Sequence, residues 1–182
     1  RSQFVDRAES NGGQLYGIWR NFGSLGLRHD EGIALTAWSS EAGARAASPV
    51  KNAQTNVLKA TVRPTTDTPP SFRGVYVFRW FEIHSKNWET FRDLSNEAWP
   101  NKENVFDANI CGFWRSLDTN AVDVKVLLLT RYADLAVWES SRWWRNPHTD
   151  AGESMSRFDF RNDLTESSIA YPAQPIFASG PG

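Results

Sequence analysis

The chain is poor in sulfur and in histidine: Cys111 is its single cysteine, and His29, His84 and His148 are its only histidines. One cysteine excludes an intramolecular disulfide, and a Cys/His structural zinc site lacks its ligands. Basic residues are not in excess, with 20 Lys and Arg against 21 Asp and Glu and a net charge of −1. That balance argues against a general binder of nucleic acid or of an anionic membrane, since either normally shows a basic surplus. No run approaches the roughly 20 apolar residues that cross a bilayer. No signal-peptide pattern is visible, and a cytoplasmic protein is the expectation. The start at Arg1, without a methionine, leaves a processed, trimmed or partial N-terminus open.

Catalytic motifs are missing too. No nucleophile elbow, Walker loop or GxGxxG occurs, and GARAAS and GSLG lack the lysine or third glycine of phosphate loops. No His-x-His, HExxH or carboxylate cluster is present, so no metal is expected.

Aromatics are abundant, with nine Trp and eleven Phe in 182 residues. Large rings dominate core and interface burial, which points to a dense core, a wide pocket or an oligomer interface. Cys111, inside the apolar run ICGFW, reads as a buried, inert thiol.

Periodicity places the elements. Residues 14–22 and 32–39 (GIALTAWS) alternate as a hairpin, and Ser39 or Ser40 caps a short helix ended by Pro49. Residues 56–63 alternate again. Residues 64–71 (PTTDTPPS) form the best linker. The strongest strand is 75–84, with Val75, Val77, Arg79, Phe81 and Ile83 on one face. A helix follows, its stripe set by Trp88, Phe91, Leu94, Ala98 and Trp99, with Pro100 closing or kinking it. Strands at 109–116 and 124–132 come next, then a helix from Ala133 to Trp144 with Asp134 near its N-cap. Residues 146–165 read as polar and mixed, with NPHTDAGES a loop, and 169–176 as a short edge strand because of its prolines.

An internal echo organises these elements. LYGIWR at 15–20 aligns with ICGFWR at 110–115, and GIALTAWS with VLLLTRYA at 126–133. The second copy is preceded by its own strand and helix, giving the β-α-β-β-α order of a split βαβ unit. The expected fold class is therefore α+β: tandem ferredoxin-like repeats with antiparallel sheets, the first repeat incomplete. The expected organisation is a partial first repeat at 1–63, a Pro-rich linker at 64–73, a second repeat at 74–177 and a tail at 178–182. FVDRAES occupies the place of the end of the first repeat's helix.

Residues 74–144 resemble the NIPSNAP family of the dimeric α/β-barrel superfamily. The resemblance is carried by Tyr76 and Arg79 in the first strand, a helix ending near Trp99-Pro100, the Gly112-x-Trp114 strand and the segment Leu127 to Trp144. It implies tandem or dimerised ferredoxin-like units and a homodimer. Within that superfamily haem bound through a histidine is known, which makes haem the one cofactor worth testing; otherwise none is expected.

The candidate ligand site is Arg79 with Trp80, Arg115 with Trp114, and Arg131 with Tyr132, set around one concave sheet face. An arginine fork suits a carboxylate, and aromatic walls suit an apolar body. A small apolar or aromatic acid is the expected ligand, with nucleic acid and membrane excluded as partners. The structural alternative pairs the three arginines with Glu82, Asp134 or Glu139, their stems lying over the aromatics. An enzyme, either a cofactor-free or a haem-dependent monooxygenase, is the second reading, with Glu82, His84 or Asp118 as base. A purely structural interaction module is the third. No catalytic residue is singled out by spacing.

Overall fold

The computed structural model describes Glu9 and residues 12–23, 25–47, 52–66, 68–70, 73–118, 122–142 and 152–176. Seven strands form a single antiparallel sheet: β1 (Gly13–Asn21), β2 (Gly32–Trp38), β3 (Leu58–Arg63), β4 (Val75–His84), β5 (Ala108–Ser116), β6 (Asp123–Tyr132) and β7 (Thr165–Pro175). Their order across the sheet is β2-β1-β7-β4-β6-β5-β3. Among the described residues four α-helices of a turn or more accompany them: α1 (Glu41–Ala46), α2 (Trp88–Phe106), α3 (Leu135–Ser140) and α4 (Gly152–Asp163). The segment β4-α2-β5-β6-α4-β7 is a complete ferredoxin-like unit with strand order β7-β4-β6-β5, and the expected α+β class is what the chain adopts.

The echo between LYGIWR and ICGFWR has a physical basis. In β1 the register to β2 slips between Leu15 and Gly17, and in β5 the register to β6 slips between Ile110 and Gly112. Tyr16 and Cys111 are thus equivalent bulge residues, followed by equivalent glycines. A Cβ on Gly17 would lie 2.2 Å from the Trp19 ring, and one on Gly112 1.8 Å from the Trp114 ring. Each glycine clears the floor on which the indole two residues later lies flat. Register confirms the equivalence, with Gly17 opposite Leu35 and Gly112 opposite Leu129.

Alternation gives the sheet two apolar faces. One is covered by helices: Phe81, Ile83, Phe113, Val124 and Val126 pack on Trp88, Phe91, Ala98 and Trp99 of α2 and Phe158 of α4. Ring contacts knit it, with Phe81–Phe91 centroids 5.1 Å apart and Trp99–Phe113 5.2 Å apart. The other face gathers Tyr16, Trp19, Tyr76, Phe78, Leu127 and Leu129.

Three elements depart from the sequence expectation. Helix α2 runs through Pro100 to Phe106, because Pro100 is on its exposed side while the turns beyond bury Lys102 and Phe106. Burial there outweighs one lost backbone bond. The chain 152–163, read from sequence as the end of a loop followed by polar, mixed chain, is helical, and the stripe it buries is Ser154, Phe158 and Arg161, too polar to register as amphipathic. And β7 lies between β1 and β4 instead of at an edge. Its prolines are accommodated because β1 reaches only residues 173–175, leaving Pro172 with one partner strand, β4. Capping by Ser40 of α1 and Asp134 of α3 is as expected. The FVDRAES helix end (apart from Glu9), much of the 146–154 loop, His148, Trp144 and residues 177–182 lie outside the described residues.

Candidate functional site

The six residues singled out from sequence do not share a face. Register on β4, β5 and β6 sends Arg79, Arg115 and Tyr132 to the helix-covered side and Trp80, Trp114 and Arg131 to the other. Arg115 lies over the Trp88 ring at 5.6 Å, and Arg131 Nε donates to the Arg73 carbonyl at 2.8 Å. Trp114 meets Tyr16 edge-on, and Trp80 packs beside it on the same face. The acids proposed as structural partners are engaged elsewhere: Glu82 with Lys125 and Ser167, Glu139 with Arg142, and Asp134 with the Val137 amide. One concave cluster of three arginines is therefore not what the fold builds.

Two of the six, Arg79 and Tyr132, converge on a cavity of about 30 Å³ between the helix side of the sheet and α2, α3 and α4. That is room for one or two water-sized groups. From α2 come Trp99 and Lys102, from α4 Phe158 and Arg161, and from the end of α3 Trp138, Ser141 and Arg142. No carboxylate is among the described lining residues. Glu103, next in sequence to Lys102, is committed to Arg63 at 2.6 Å and to the Ile110 amide at 2.7 Å.

The electrostatics follow from that composition. Burial pushes the Arg161 guanidinium down to about 9, and Arg79 pushes the same way while Tyr132 opposes. Burial likewise lowers Lys102, helped by repulsion from Arg79 and Arg161, with Tyr132 opposing. Arg79 is lowered by burial and by Arg142. Tyr132 is the counterweight: burial pushes its phenol up, yet Lys102, a hydrogen bond with Ser141 and the Arg79 charge together leave it lowered. Arg161 rests against three rings, Phe158 at 4.6 Å, Phe81 at 4.9 Å and Phe91 at 5.4 Å. Its Nη1 donates to Ser95 Oγ over a long 3.4 Å. Two buried donors of the lining, Arg161 Nε and Trp99 Nε1, have no hydrogen-bond acceptor. Four basic side chains, Arg79, Lys102, Arg142 and Arg161, thus line the cavity, Arg142 paired with Glu139 at its rim, together with two donors that lack an acceptor among the described residues.

Lys102, Trp99 and Arg161 were not selected from sequence. Lys102 stands beyond the proline expected to end its helix, and Arg161 on a helix that was read as polar chain. A lysine and an arginine on the buried stripes of two helices were the available signal.

The bases suggested from sequence do other work. His84 Nδ1 accepts from the Lys86 amide in the turn after β4, and Asp118 accepts from the Val57 amide and Arg45. Among the described residues that line the cavity there is no histidine. Cys111 is buried, its Sγ set against the Asn109 side chain at 3.4 Å. Burial, opposed by Arg131, pushes the thiol up to about 12. Because only thiolate reacts, Cys111 in the folded chain is expected to react with a disulfide reagent at pH 8 on the order of a thousandfold more slowly than in urea-unfolded chain. Comparable rates would remove the buried assignment.

No protein-family model matches the chain, and no curated protein does. Solved structures do. One, provisionally named a monooxygenase, from Lactobacillus acidophilus NCFM, has a TM-score of 0.53 at 10% identity, over 96% of this chain and 87% of that one. Another, from Listeria monocytogenes 4b F2365, is an uncharacterized ferredoxin-fold protein related to antibiotic biosynthesis monooxygenases. It has a TM-score of 0.50 at 13% identity, over 96% of this chain and 89% of that one. At such identities the likeness is one of fold, the ferredoxin-like arrangement. Among the described residues no helix is long and apolar enough to cross a membrane.

Proposed function

We propose that the chain binds a small organic acid, its anionic head group held in the helix-side cavity by Arg79, Lys102 and Arg161. The observation that carries this reading is the set of cations and orphan donors, Arg161 Nε and Trp99 Nε1, converging on a space that no carboxylate of the described residues lines. The cavity's size restricts it to a head group, so an apolar or aromatic body lies outside the cation cluster. The NIPSNAP-like character suggested by Tyr76, Arg79 and the Gly112-x-Trp114 strand is compatible with such a binder and adds no chemistry to it.

Sodium benzoate is the test probe, with sodium chloride at equal ionic strength as control. Benzoate at ten times its Kd adds about 1.4 kcal/mol of stability, which is about 3–6 °C in Tm for a chain of this size. Arg79→Gln and Arg161→Gln are expected to abolish the shift. An unchanged benzoate shift in both variants, or none in the wild type with benzoate and with inorganic phosphate, refutes the site.

A second reading, a cofactor-free enzyme of the monooxygenase type, is favoured by one observation. Tyr132 lies in the cavity with Lys102 and Ser141 at its hydroxyl and a lowered pKa, the properties of a proton acceptor. The names of the two structural neighbours point the same way. Under this reading Tyr132→Phe keeps the acid-induced Tm shift and loses turnover.

A further inference from the structure

A lysine on a buried helical stripe is a costly choice, and Lys102, on the turns of α2 beyond Pro100, is 8% exposed. Its Nζ lies 5.4 Å from the centre of the Phe158 ring, 5.7 Å from Phe106 and 5.8 Å from Tyr132. Arg161 Cζ stands 4.6 Å from the same Phe158 ring, and Arg79 lines the same cavity. An ammonium set among rings and other cations is poorly solvated and repelled. Burial, Arg79 and Arg161 therefore favour the neutral amine, a nucleophile, while Tyr132, its hydrogen-bond partner, pulls the other way.

Two further features bear on what that amine meets. The cavity holds about 30 Å³, enough for one or two water-sized groups. Arg161 and Trp99 are 4% and 0% exposed, and Arg161 Nε and Trp99 Nε1 have no hydrogen-bond acceptor. Two oxygens joined by one carbon answer both features. They take the room of two waters and supply acceptors to the buried donors. A free organic acid must leave its body outside, whereas a group built on Lys102 itself needs no more room than this.

We propose that Lys102 Nζ takes up carbon dioxide to become a carbamate, its two oxygens held by Arg79, Arg161 and the Trp99 indole. The modification shares the cavity of the acid site and does not require an organic acid to bind there. The amine lone pair forms the N–C bond, one C=O pair withdraws onto oxygen, and an N–H proton leaves to water. Counted from the ammonium, each carbamate releases two protons and turns a cation into an anion. That reversal converts repulsion from Arg79 and Arg161 into attraction. The cluster that disfavours the ammonium thus favours its carbamate.

Carbon NMR of the 182-residue chain in carbon-13 bicarbonate at pH 7.5 tests this. A carbamate signal besides that of the N-terminal amine is expected, split by one-bond coupling in protein carrying nitrogen-15 lysine. Lys102→Gln is expected to remove the split signal. Arg161→Met keeps the lysine and is expected to cut its occupancy about tenfold or more, the effect of losing one charged partner. This second variant carries the test should Lys102→Gln fold badly. No split signal in the wild type, or one unchanged in Lys102→Gln, overturns the proposal. So does an occupancy unaltered in Arg161→Met. A benzoate Tm shift in protein that shows no carbamate removes this proposal alone and leaves the acid site standing.

Discussion

Arg161→Met is expected to make the protein more stable at pH 7, by about 1–3 kcal/mol, while abolishing the response to benzoate. A guanidinium driven well below its ordinary value, down to about 9, by burial and like charge is in surroundings that disfavour its charge by about 5 kcal/mol. Three aromatic rings within 5.4 Å share this one charge and together give back about 2–4 kcal/mol. The remainder is a net cost, and methionine fills a similar volume without it. A purely structural arginine would show the opposite sign, since its removal would leave a hole among Phe81, Phe91 and Phe158.

The pH dependence supplies an independent check. Below pH 9 the guanidinium is charged in folded and unfolded chains alike, and the folded chain bears the whole penalty. As the pH rises above about 9 the folded chain loses the proton before the unfolded chain does, so the penalty disappears. The advantage of Arg161→Met is therefore largest at neutral pH and smaller at pH 10. Tyr76 and Cys111, both raised by burial, cost stability in the same alkaline window, but they do so in both proteins and cancel in the difference. Urea midpoints of the two proteins at pH 7 and pH 10 decide it. A variant less stable than wild type at pH 7 would make Arg161 a cation–π element of the core and remove the main support for an acid site.

The sequence disclosed most where local rules agree with burial. β4 is legible because ten alternating residues fill two apolar faces, and the hairpin pairs because bulge, glycine and tryptophan recur in order. The site was less legible for three physical reasons. Alternation tells which residues of one strand share a face, but the match between strands depends on register. The bulge at Cys111 reverses that alternation inside β5, so Ile110 and Phe113 share the helix side, while the β4–β6 register, with Arg79 opposite Leu128, puts Arg131 on the other face from Arg79. Helix α4 conceals its buried stripe behind Ser154 and Arg161, and Lys102 lies past a proline. The residues that give the cavity its charge are thus the ones that make their helices look unlike core helices. Polar residues on buried stripes are costly to stability, and here they mark the place where a ligand would repay that cost.

Gly17→Ala is expected to cost about 3 kcal/mol, more than Gly112→Ala, although the Cβ overlap is closer at Gly112. The contact to be relieved is 2.2 Å to Trp19 in the first case and 1.8 Å to Trp114 in the second. What differs is the freedom of the ring. Trp19 is completely buried, wedged against Tyr76 at 5.4 Å and Phe78 at 5.1 Å, and moving it displaces the core of the inner face. Overpacking of a site that cannot relax costs about 1–3 kcal/mol or more. Trp114 is half-buried, with Tyr16 as its edge contact, and can swing outward for about 1 kcal/mol. Each glycine is coupled to its own indole. Gly112→Ala should therefore be close to neutral in a Trp114→Ala background, and Gly17→Ala in a Trp19→Ala background should lose most of its separate cost. Equal losses for the two glycines, or additivity within each glycine–tryptophan pair, would mean that the recurrent Gly-x-Trp serves backbone conformation rather than the seating of the ring.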